Sequence, residues 1–128
     1  MKILKTLTSA AMVSAIALMA VPVSAADTRI ALVVKSLGNG FFDAAAKGAE
    51  QAAAELGGIE IIYTGPTSAT AEGQIEIINA LIAQQVDAIA ISANDPDALV
   101  PALKKAMDRG IAVISWDSGV AAEGRQMH

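Results

Sequence analysis

The chain has two phenylalanines in all, and they are adjacent. Phe41 and Phe42 lie in "GNGFFD", directly after an aliphatic run. Neighbours on a helix point about 100° apart. If one ring enters the core, the other turns toward the loops at the end of the sheet. An aromatic ring exposed in a cleft can stack on the C–H face of a sugar; packing of both rings in the core is the alternative. Asp117 closes another aliphatic run, "ISWDS". A carboxylate accepts from two hydroxyls at once, as a polyhydroxylated ligand requires. An Asx turn ending the strand is the simpler use of the same residue. Trp116 faces away from Asp117 along a strand and reads as packing. Lys35 ends the first run, where its ammonium could reach ring or hydroxyl oxygens or stand in solvent. Asn39 fits a helix cap or an amide contact to ligand.

Other chemistries find little support. "GNGFFD" follows a strand and opens a helix, as a dinucleotide-binding turn does, but Asp43 stands where the third glycine belongs, and pyrophosphate would meet a carboxylate. There is one histidine, His128, and no cysteine. No nucleophile elbow or metal-ligand spacing occurs. Asp95 and Asp97 are close, but helix capping explains them. The reading is therefore of a non-enzymatic protein with no cofactor and no metal.

The first residues are set apart from the fold. Lys2 and Lys5 precede the apolar stretch "LTSAAMVSAIALMAV", and Pro22 and "VSAA" follow. That is the layout of a secretory signal peptide cleaved after Ala25 or Ala26. The apolar run falls short of the ~20 residues a membrane span needs. The expected division is a signal peptide over 1–25 and one α/β unit over 26–128. The 128 residues carry 9 basic and 13 acidic side chains, a net charge of −4, and losing Lys2 and Lys5 makes the remainder more acidic. An acidic exported chain is a poor nucleic-acid binder. Without cysteine there is no disulfide framework, so packing alone must hold the fold.

The elements that would position these residues alternate. "RIALVVK", "IEIIYT", "DAIAIS" and "IAVISW" read as strands apolar on both faces. Phe42, Ala45, Ala46, Ala49, Ala53 and Leu56 follow helical spacing, ended by Gly57-Gly58. Ile75, Ile78 and Ile82 line a second helix. In "NDPDALVP" Asp95 predicts a cap, Pro96–Leu99 a short turn, and a third helix restarts near Pro101. The tail "GVAAEGRQMH" reads as loop. The order β-α-β-α-β-α-β implies a doubly wound parallel sheet with helices on both faces and right-handed crossovers. Ligands in such sheets bind beyond the carboxyl ends of the strands, where strand order reverses. That rule selects Lys35–Phe42, Thr64–Thr70, Ser92–Asp95 and Asp117–Val120.

The segments "ALVVKSLGNGFFDAAAKGAEQAAAELG", "YTGP", "EGQIEIINALIAQQVDAIAISANDPDALVPALKKA" and "ISWDS" together resemble the periplasmic sugar-binding proteins of ABC transporters, of the ribose-binding type I group. The resemblance runs from about Arg29 to the end and is nearest to rhamnose-binding members, then to autoinducer-2-binding members. It implies two α/β lobes joined by a hinge with sugar between them, and by its length this chain resembles most of the first lobe alone. It also implies ligand-binding roles for Lys35, Asn39, Phe41, Phe42, Asp117 and Ser118. In the ribose type an arginine follows the aspartate. Here Ser118 follows it, and Lys35 replaces a small polar residue, which points to a deoxy sugar or related polyol. The implied partners are a small-molecule sugar and ABC transporter permease subunits, with no nucleic acid. The implied protein is a periplasmic monomer, not membrane-embedded. Rival readings are the ligand-binding domain of a sugar-responsive sensor, a transcriptional regulator, which would need a DNA-binding headpiece where the leader stands, and an exported flavodoxin-like enzyme.

Overall fold

A computed structural model describes Ala26–His128; the expected signal peptide over 1–25 lies outside the described residues. Four strands form one parallel sheet: β1 (Thr28–Val33), β2 (Ile59–Thr64), β3 (Ala88–Ile91) and β4 (Ala112–Ser115). Three helices connect them: α1 (Gly40–Leu56), α2 (Ala71–Ala83) and α3 (Val100–Asp108). The strand order is β2-β1-β3-β4, so the order reverses between β1 and β3. In the ladders Val33 pairs with both Thr64 and Ile91, and Ile91 pairs with Ser115. The four carboxyl ends therefore stand in one row, and the residues that follow them share one rim.

Each helix has a local cause. Asn39 Oδ1 accepts from the Phe41 amide at 3.0 Å and starts α1. Gly57, at φ +74°, ends it, where a Cβ would be strained. Thr70 Oγ1 accepts from the Gly73 amide and starts α2. Pro96–Leu99 form the expected turn, and α3 begins at Val100 with Pro101 in its first turn. There the missing amide hydrogen removes no intrahelical bond.

The two faces of the sheet are covered unequally. On one face α2, α3 and the turn before α3 pack Ile78, Leu103 and Leu99 against Val33, Ile89, Ile91 and Val113, all fully buried. On the other face α1 lies alone over a thinner layer of Leu32, Ala46 and Ala90. The apolar spacing along α1 predicts Leu56 in this layer, yet Leu56 is 74% exposed. It borders an open apolar groove of about 230 Å³ with Ile30, Ala53 and Ile59. On the same face of β4, Ile114 is 41% exposed.

The tail departs from the expected loop. A short 3₁₀ turn at Ala122–Gly124 brings the chain back beside β4. Gln126 N donates to the Val113 carbonyl, Ser115 N donates to that of Met127, and Ile114 and Met127 form a parallel bridge. These residues satisfy backbone groups that a bare strand edge would leave open.

Candidate functional site

The rim is built from the residues that follow each strand. Ser92, after β3, is fully buried. Its Oγ donates to Asp117 Oδ2 at 2.6 Å. Lys35 Nζ, after β1, stands 4.0 Å from the same oxygen, and each of that pair is about one-third exposed. Among the described residues, both of these side-chain contacts fall on Oδ2. Asp117 holds φ at +58°. That left-handed conformation is one Asp tolerates better than most residues. The Asp117 carboxylate takes a bond from Ser92, where an Asx turn was the alternative use of the residue. Ser118 contributes its carbonyl, which accepts from the Ala93 amide at 3.0 Å and fastens the β4 turn to β3.

The adjacent phenylalanines divide as helical geometry requires. Phe42 is buried and Phe41 is 59% exposed. Their rings meet edge to face, with centroids 5.2 Å apart. Trp116 joins them: its ring is nearly parallel to that of Phe41 (21°, 6.4 Å) and perpendicular to that of Phe42 at 5.9 Å. The expected packing role of Trp116 thus lies at the rim. Phe41 is exposed, with Trp116 stacked near it and Phe42 meeting it edge to face. Trp116 Nε1 is buried with no hydrogen-bond partner among the described residues.

Lys35 thus meets Asp117, and Phe41 meets Trp116, in segments that follow β1 and β4. Asn39 stands at the start of α1, with its side-chain oxygen engaged in the cap. Asp95 accepts from the amides of Asp97 and Ala98, the expected cap. Bonds from Ala98 first and Asp97 second hold its carboxyl below the usual range. Tyr63, at the end of β2, donates to Asp43 Oδ1 at 2.8 Å. Burial, then that bond and the nearby charge, push its phenol up to about 12.

Three residues shape the rim from behind: Gln74, which the sequence reading leaves out, and Ser92 and Asn94, which lie in the selected Ser92–Asp95 segment without an assigned role. Gln74 is fully buried and donates to the carbonyls of Val34 and Ser92. Asn94 N donates to Gln74 Oε1. A signal existed for Gln74. It precedes Ile78 by one turn, so it falls on the apolar stripe of α2, where a polar residue must find partners. Ser92 and Asn94 are marked only by their place after the third strand.

Among the described residues no group of three or more acidic, histidine or cysteine side chains could hold a metal ion, and no helix is long and apolar enough to cross a membrane. A profile of the periplasmic binding protein domain matches residues 30–128. The D-ribose/D-allose-binding protein of Pseudomonas aeruginosa is 41% identical over 92 residues, covering 70% of this chain and 29% of its own length. An ABC transporter solute-binding protein from Clostridium phytofermentas with bound L-rhamnose is 45% identical, with a TM-score of 0.73, covering 80% of this chain and 32% of that one. LsrB from Clostridium saccharobutylicum in complex with AI-2 is 35% identical, with a TM-score of 0.75, covering 78% and 31%. The first two are named as binding proteins, and the chain spans about a third of the length of all three. Sequence, sheet order and these likenesses agree: the chain belongs to the periplasmic binding protein domain family, with the type I fold of sugar ABC transporter solute-binding proteins, and holds part of the N-terminal lobe.

Proposed function

We propose that this chain is the N-terminal part of a periplasmic component that captures L-rhamnose and delivers it to an ABC transporter permease. The carrying observation is the pairing of an exposed ring with an anchored carboxylate at one rim. Phe41 stands exposed beside Trp116, and Asp117 is held by Ser92 next to Lys35. A deoxy sugar has one apolar flank and several hydroxyls. The flank settles on Phe41, removing C–H surface from water at about 25 cal/mol per Å². The hydroxyls donate to Asp117 and accept from Lys35. Likeness to the L-rhamnose-bound protein of Clostridium phytofermentas supports this choice. Binding of AI-2 is the second reading, favoured by Lys35 and by the likeness to LsrB. Residues 1–25 act as the export signal, and the working form is a monomer in the periplasm.

Closure around a ligand requires two lobes, and this chain spans about a third of its relatives. One rim supplies part of the contacts, so the chain alone binds sugar weakly. An NMR titration with L-rhamnose, D-ribose and D-allose tests the reading. Shifts centred on Phe41, Trp116 and Asp117, largest for L-rhamnose, are expected. Shifts elsewhere, or none for any sugar or for AI-2, would end it. Calorimetry showing tight L-rhamnose binding by this chain would refute the need for a second lobe.

A further inference from the structure

Where β1 and β3 part, neither strand fills the gap; a side chain from α2 does. Gln74 Nε2 donates to the Val34 carbonyl at 3.0 Å and to the Ser92 carbonyl at 2.8 Å. Its Oε1 accepts from Asn94 N at 2.8 Å. Asn94 Nδ2 donates in turn to the Lys35 carbonyl at 2.9 Å and to the Thr70 carbonyl at 3.1 Å. Two primary amides thus tie together the segments that follow β1, β2 and β3. The choice of group is chemical. A primary amide has two donor hydrogens and an acceptor, whereas a hydroxyl has one hydrogen and a carboxylate none. Each buried carbonyl left without a donor would be costly.

We infer that Gln74 and Asn94 are positioning residues for the ligand site, acting from behind it. Gln74 fixes how far β1 and β3 separate at their carboxyl ends. Asn94 ties the Lys35 backbone to this point. Ser92, held through its carbonyl, in turn holds Asp117 through its hydroxyl. The separation between Lys35 and the Asp117 carboxylate is therefore set by two amides that need not touch a sugar. The sugar arm of the test rests on the proposed function; the exchange arm does not.

The test uses the full chain and Asn94→Ala, a half-buried position that leaves no core cavity. Without sugar, amide hydrogen exchange is measured at Leu37 and Ala93, whose amides bond across the rim to Pro66 and Ser118. Ala31 and Ile89, inside the strands, are the controls. Exchange about 10-fold faster at the rim with unchanged controls is expected, the factor for losing one or two hydrogen bonds. Unchanged rim exchange overturns the inference whether or not any sugar binds. In the NMR titration, Asn94→Ala should weaken L-rhamnose binding about 10-fold, and combining it with Lys35→Met should cost less than the two losses multiplied. Unaltered affinity or fully multiplicative losses would overturn the positioning role. A wild-type chain that answers to no sugar would refute the function while the exchange result still judges the amide network. Gln74→Met, expected to be less stable, should speed exchange at the same rim amides.

Discussion

Substituting Asp117 by Asn, Gly and Ala in parallel separates what this residue does for the turn from what it does for a ligand. Its φ of +58° costs a residue with a Cβ roughly 1–2 kcal/mol, costs Gly nothing and costs Asn little. Its bond from Ser92 leaves a buried hydroxyl unpaired when the side chain is removed, a loss of about 1–3 kcal/mol. The pair with Lys35, at 4.0 Å and partly exposed, adds about 0–1 kcal/mol. Asp117→Asn keeps the turn and an acceptor for Ser92, so it should melt near the wild type. Asp117→Gly loses the Ser92 bond and relaxes the backbone. Asp117→Ala loses the bond and keeps the strain, so it should melt about 4–8 °C below Asp117→Gly, as ~1 kcal/mol does in a domain of this size. Sugar binding should follow a different order. Asn replaces a charged acceptor by a neutral one and loses about 10-fold, while Gly and Ala lose about 100-fold alike, from bonds to a charged group of about 1.5–3 kcal/mol. Scanning calorimetry and NMR titration with L-rhamnose read the two orders. Equal melting of the Gly and Ala variants would refute the strained turn. Wild-type affinity in Asp117→Asn would remove the carboxylate from the site.

Other consequences can be checked on the same protein. Phe42→Ala should cost about 3–5 kcal/mol of stability, since the ring is buried, whereas Phe41→Ala should change stability by about 0.5 kcal/mol or less and still weaken sugar binding; urea denaturation beside titration distinguishes them. Ser92→Ala should lower L-rhamnose affinity about 5- to 10-fold by freeing the Asp117 carboxylate, and equal affinity would exclude Ser92 as its anchor. Tyr63 is the only tyrosine, so a tyrosinate absorbance titration reads it alone, with a midpoint of about 12 and a lower one in Asp43→Asn. The folded state holds this proton more tightly than the unfolded state. The associated stability is therefore complete below pH 10 and is lost as pH rises from 10 toward 12. Release at the ordinary tyrosine value in the folded chain would contradict the Tyr63–Asp43 bond.

The strands and helices could be read because each has a local cause. β-Branched runs, the caps at Asn39 and Asp95 and the proline-delayed start of α3 act within a few residues. The split of Phe41 from Phe42 followed from helix geometry in the same way. Leu56 misled the reading because periodicity marks an apolar face without telling whether anything covers it. The tail misled it because much of its order comes from pairing with β4. The roles of Ser92, Gln74 and Asn94 were missed for a shared reason. Their roles rest on partners 18 to 59 residues away, and only the register of the sheet brings those partners into reach.

Trp116 is the chain's only tryptophan, and its indole lies against the one aromatic ring that the rim exposes. A molecule settling on Phe41 would alter the surroundings of the sole strong fluorophore, which excitation at the red edge selects over Tyr63. The protein carries its own optical gauge: a shift in emission wavelength or intensity on adding a solute reports occupancy of this rim without any attached dye.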